Sequence, residues 1–204
     1  YNTSNEGVTW ETSSMRSWLN GYGASVNQPK TDYSRKNFIN SAFTSTQRSA
    51  IKTTSVVNNN NMVYETAGGN NTFDKIFLLS DVEVCHTDRA ENYGFVAKIT
   101  EEMSDWPSEI TDEARKSQCS TYAYAMGADK YNGTTYWCLR SPGIANMDVA
   151  DVSQHGIVEE DGTDSSEEKG VRPALHLNLA STNLYSYAGT VCSDTMKSGE
   201  SGTD

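Results

Sequence analysis

The chain has 204 residues and a formal net charge of −11, with a mean hydropathy of −0.63. That length fits one domain plus a tail and can bury a core without metals or many disulfides. The acidic balance, 27 Asp and Glu against 16 Lys and Arg, excludes nucleic-acid binding as the main role, because phosphate contacts need clustered cations. It also argues against docking on anionic membranes, and no apolar run reaches the roughly 20 residues of a membrane insertion.

Tyr1 opens the chain where a Met would stand, so the sequence reads as a processed or excised piece of a larger multidomain protein. The segment 12–21 (TSSMRSWLNG) is a short helix: Thr12 or Ser13 caps it, Met15, Trp18 and Leu19 share a face, and Gly21 ends it. Phe38, Ile39 and Ala42 make a second short apolar face. Thr44 to Gln47 is a capping box that opens a helical turn, and Thr53–Val57 is a β-branched strand. Asn58–Asn61 and Ala67–Asn71 are turn-rich and free to move.

The most apolar short run, 75–80 (KIFLLS), is the candidate central strand, and Ser80 with Glu83 forms a second capping box after it. A short helix near Phe95–Met103 interrupts an irregular insertion. Thr111–Met126 is the longest helical pattern, capped by Thr111 and stopped by Gly127. Thr135–Ser141 is a strand, followed by a hairpin of Met147–Ser153 and Gly156–Glu159. Residues 159–168 form an acidic loop. Gly170–Leu179 is the last strand, with Pro173 marking an edge, a bulge or a strand start. Beyond it, 180–204 is a polar tail or linker. Helices first and short strands last make an α+β domain with a small, mostly antiparallel sheet and long loops.

Cysteines at 85, 119, 138 and 192 form no CxxC pair, which excludes a zinc ribbon. Cys85, Cys119, Cys138 and Cys192 are disulfide candidates or buried thiols, and four cysteines allow three connectivities. No GxSxG or HExxH occurs, and His86, His155 and His176 are scattered, so no catalytic residue is assigned. Residues 159–164 (EEDGTD) offer oxygen ligands of the kind calcium takes, but without the EF-hand spacing. The segment reads as solvated acid, and no metal or cofactor is assigned.

Four blocks carry a resemblance: 9–20 (TWETSSMRSWLN), 42–54 (AFTSTQRSAIKTT), 74–80 (DKIFLLS), and 136–143 (YWCLRSPG) followed by 170–179 (GVRPALHLNL). Over residues 1–179 they resemble an uncharacterised domain family of secreted and surface proteins of Gram-positive gut bacteria and their phages. The family implies a strand or two ahead of Tyr1. The closing strand also resembles formylglycine-generating-enzyme-like domains, which implies a C-type-lectin-like fold. That implies a single domain over 1–179 and an extracellular, cell-surface or phage-particle setting, but a fold does not assign chemistry.

Arg140 and Arg172 sit in apolar strand contexts and read as structural arginines, with Glu83, Asp148 or Asp151 as candidate partners. Trp10, Trp18 and Trp137 read as core, Tyr136 as nearer the surface, and Trp106 as a candidate exposed contact. The leading expectation is a non-enzymatic recognition or adhesion module. Its loops at 127–135 and 144–169 would present Tyr131, Asn132, Tyr136, Asn146 and His155 to a protein or glycan. A structural or assembly domain of a surface protein or fibre is the alternative. A thiol oxidoreductase using Cys85 or Cys138 is the third reading.

Overall fold

The computed structural model describes residues 1–3, 6–86, 90–95 and 113–180. Most of the expected 95–103 helix, Trp106, Cys192 and the tail beyond Ala180 lie outside these. The described architecture is mixed, with short helices and three small antiparallel sheets.

Local chemistry sets the helix ends. Helix α1 (Ser14–Asn20) starts where the Ser13 side chain accepts the Arg16 amide, and it ends at Gly21, whose φ of 75° is left-handed. After α2 (Phe38–Ala42), the capping box of Thr44 and Gln47 opens α3 (Ser45–Ala50). Strands β1 (Thr54–Val56) and β2 (Thr72–Asp74) pair antiparallel. The second capping box, Ser80 with Glu83, opens α4 (Asp81–Cys85).

The long helix expected over 111–126 is corrected. Its described part holds a turn, then β3 (Ser117–Gln118), then a five-residue helix α5 (Thr121–Ala125) capped by Ser120. Ser120 competes for the backbone at mid-pattern and resets the start. Strand β4 (Thr134–Thr135) pairs with β3. The main sheet is β5 (Trp137–Pro142), β6 (Asp148–Val152) and β7 (Val158–Asp164), in that order. The expected hairpin is present. The expected acidic loop is in fact β7 over its first part, and Glu160 is buried within it. Gly162 sits there with φ 65°, and a Cβ would meet the Val149 carbonyl oxygen at 2.2 Å, so the β6–β7 approach requires glycine.

Two expected strands become single bridges. In 75–80 the side chains from Ile76 onward are buried, but the backbone pairs only at isolated points. Phe77 exchanges two hydrogen bonds with Ala174, and Leu79 accepts from Arg140. Residues 170–179 touch three partners in turn: Gly170 meets Trp137, Ala174 meets Phe77 and Leu177 meets Ile51. Pro173 has no amide to donate, which breaks any continuous ladder. Leu177 and Leu179 are exposed.

The asparagine-rich turns expected to move are pinned. The Asn61 side chain donates to the carbonyls of Pro142 (2.8 Å) and Glu160 (2.7 Å), tying β5 to β7. The core gathers Trp10, Leu19, Ile76, Leu78, Leu139 and Trp137 between α1, the 75–80 segment and the sheet.

Candidate functional site

Arg140 sits in a buried hydrogen-bond network. It is buried in β5, donates to the carbonyls of Leu78 (2.7 Å) and Val57 (2.9 Å), and engages both oxygens of Glu83. Arg172 works differently: its guanidinium lies over Trp137 (5.1 Å) and Phe95 (5.5 Å) and donates to the Ala114 carbonyl. Asp151, another candidate partner, pairs instead with Lys169.

Of the five expected ligand residues, the structure brings two rings into contact. Tyr131 and His155 come together, their rings 6.0 Å apart and edge to face. Asn132 shares the Tyr131 turn, with φ 49°. Asn146 lies apart, its carbonyl accepting the Val8 amide and its side chain over Gly7. Tyr136 is half-buried and lines a small pocket that none of the other four lines. Nearly half of the expected presenting loop over 144–169 is strand, β6 and β7, and Asn146 and His155 lie in the connections on either side of β6.

Of the four disulfide candidates, Cys85, Cys119 and Cys138 are buried and no disulfide joins any two of them, while Cys192 lies outside the described residues. Burial pushes the Cys138 thiol up, away from a reactive thiolate.

The larger concavity lies elsewhere. A groove of about 1090 Å³ runs between α1 and α2 on one side and α5 with residues 166–173 on the other. Met15, Trp18, Phe38, Tyr122 and Met126 supply its apolar lining. Trp18, expected in the core, is half-buried and tilts against Phe38 at 5.6 Å. Helix α5 buries none of its residues, and Tyr122, Tyr124 and Met126 are each more than 60% exposed. An apolar helix this exposed among the described residues is the kind of surface that marks a contact site.

A smaller pocket of about 180 Å³ shares Glu167, Glu168 and Lys169 with the groove. Asp129, Thr135, Tyr136, Glu159 and Thr163 complete it. Lys169 is held by the buried carboxylate of Asp151, and its ammonium sits 5.2 Å from the Tyr136 ring centre. Burial, with Asp151 and Asp161 nearby, raises the Glu159 carboxyl; burial, with Glu159 and Asp151, raises the Tyr136 phenol. Among the described residues no cluster of His, Cys, Asp and Glu is arranged to hold a metal.

Sequence reasoning missed the groove because Trp18 and Phe38 share helix faces with core residues. The signal was 121–126 (TYAYAM), a helix with too little polar surface to be a solvated one.

A family model described as a domain of unknown function (DUF6273) matches residues 1–179. No curated protein and no solved structure matches the chain.

Proposed function

This chain belongs to the DUF6273 family of domains of unknown function, and we propose that it is a non-enzymatic recognition module of a larger bacterial surface, secreted or phage protein. The open apolar groove flanked by the uncovered α5 carries this reading. Its size exceeds that of a packing defect and matches ligand clefts. Short helices, a small three-stranded antiparallel sheet and long connections are compatible with a C-type-lectin-like scaffold. The ligand class is protein or glycan. The burial of Cys85 and Cys138 favours binding over thiol chemistry.

The test is a glycan array and a random-peptide display, each run against the wild type, Met126→Asp and Tyr122→Ser. Both positions are exposed, so the fold tolerates the changes. Binding in either arm that weakens about tenfold or more in both variants supports the groove. No binder, or binders indifferent to both substitutions, overturns it.

One observation favours an assembly role as the second reading. The exposed Tyr122, Tyr124 and Met126 suit a second copy of the chain as well as a foreign ligand. Light scattering that shows a concentration-dependent dimer, lost in Met126→Asp, would select that reading.

A further inference from the structure

We infer that the groove takes a peptide segment of a partner protein, anchored by a Lys or Arg side chain in the acidic side pocket and by apolar side chains along the groove; this rests on the recognition reading above.

The two cavities adjoin, sharing Glu167, Glu168 and Lys169 in their linings, so a segment laid along the groove passes beside the pocket. Its volume of about 180 Å³ lies below the roughly 300–1000 Å³ of small-molecule sites. That is room for one side chain. Its lining includes the carboxylates of Asp129, Glu159, Glu167 and Glu168. The one cation in the lining, Lys169, is already engaged by Asp151. Asp151 is not itself in the lining; it accepts from the pocket residues Lys169 and Thr163 and adds its negative charge from beside them. The pocket is therefore complementary to a donor-rich cation and repels an anion.

The groove favours peptide over sugar. Sugar rings stack on flat, freely presented aromatic faces. Here Trp18 and Phe38 tilt against each other by 50° and Phe38 meets Phe43 edge to face, so of the apolar lining rings named above Tyr122 is the one more than 60% exposed. The thioethers of Met15 and Met126 line the rest with Ala42, Ala123 and Val171. Such thioethers repack around irregular aliphatic side chains. Arg35 and Lys36 on the α2 side give the groove a second, opposite charge, so a bound segment has an acidic residue away from its basic anchor.

The experiment uses the full chain and a positional-scanning library of short peptides with blocked ends, in which one position at a time is fixed as Lys, Arg, Glu or Leu. Lys- and Arg-fixed pools are expected to bind at one position where Glu-fixed pools do not. That preference is expected to weaken about tenfold or more in Glu167→Gln with Glu168→Gln, and separately in Glu159→Gln. Glu167 and Glu168 are exposed, so the double variant keeps its fold, which an unchanged melting temperature verifies. Equal binding of Glu- or Leu-fixed pools, or affinity unchanged in both variants, overturns the basic anchor. Glycan binding without any peptide pool overturns the peptide and leaves recognition standing. No binding of either kind overturns both.

Discussion

The guanidinium of Arg140 engages both carboxylate oxygens of Glu83, Nη2 lying 3.0 Å from Oε1 and Nη1 donating to Oε2. The same guanidinium donates to Leu78 and Val57, so one side chain ties β5 to the capping box of α4, to the buried 75–80 segment and to the end of β1. Glu83 also closes that box on the Ser80 amide. With side chains only 3% and 14% exposed, the pair is expensive to break. Glu83→Gln is expected to destabilise the domain by about 3–5 kcal/mol, because it strands a buried cation. Replacing both partners, Glu83→Leu with Arg140→Met, should cost less than the sum of the single changes. Urea denaturation of Glu83→Gln, of Glu83→Leu and Arg140→Met singly, and of the double checks this. A single-variant loss below about 1 kcal/mol would class the pair with exposed salt bridges.

The carboxylates of α4 also set the pH response. Burial works to raise Glu83, but Arg140, the Ser80 amide and the Tyr93 hydroxyl together hold its carboxyl below the usual range. Its stabilisation is therefore complete above the unfolded value of roughly 4.3 and lost as pH falls through the folded value. Asp81 runs the other way. Burial raises it despite hydrogen bonds from Ser141, Val82 and Met62, so the fold holds that proton and loses stability as pH rises from roughly 3.9 through the folded value. Glu83→Gln should flatten the acid limb, and Asp81→Asn should flatten the decline above it. Denaturation midpoints followed from about pH 3 to 7 read both slopes. An acid limb in Glu83→Gln identical to that of the wild type would reject the assignment.

What was legible in the sequence was chiefly what is local. Ser13, Thr44 and Ser80 cap helices as their spacing dictates, and Gly21 ends one, because capping is decided within four residues. The hairpin of β6 and β7 was legible from its turn, but the strand nature of Val158–Asp164 was masked by its acidic composition. Non-local decisions were illegible. Asp151 pairs with Lys169 and Asp74 with Arg16, both buried, and neither pairing leaves a periodic trace. The fully buried Arg115 is one more such case; it donates to the carbonyls of Gly156 and Val84 from a segment read as helix. The groove failed for a related reason: Trp18 and Phe38 carry a core-like pattern, and only the docking of α5 decides that they line an opening.

Asp74 is the second buried hub, and it yields an alkaline signature. Its carboxylate accepts from the Trp10 indole, the Arg16 guanidinium, the Tyr22 hydroxyl and the Thr72 hydroxyl. Burial first, then the charge and hydrogen bond of Asp74, push the Tyr22 phenol up to about 12, against the pull of Arg16. A phenol raised in the fold contributes stability that is lost as pH climbs from roughly 10 through that value. Asp74→Asn should bring the Tyr22 titration down toward the ordinary range. It should also cost about 3–5 kcal/mol, since Arg16 loses its counter-charge. Tyrosinate absorbance, with Tyr22→Phe to assign the signal, separates the two effects. An unmoved titration in Asp74→Asn would place the cause in burial alone.

The three described cysteines give the last prediction. Cys85, Cys119 and Cys138 are buried, none is joined to another, and the Cys85 thiol donates to the Asp81 carbonyl at 3.0 Å. A buried thiol reacts only as fast as the structure opens around it. In native protein, alkylation of Cys85 and Cys138 should follow global unfolding, with Cys119 faster because it lies on the short β3–α5 connection. In denaturant all three should label without prior reduction, each peptide gaining one alkyl group by mass. A requirement for reductant at any of them would reverse the thiol assignment and restore a disulfide. Rapid labelling of Cys138 in the folded state would instead mean that the β5 core opens locally. That outcome would bring back the thiol chemistry which burial argues against.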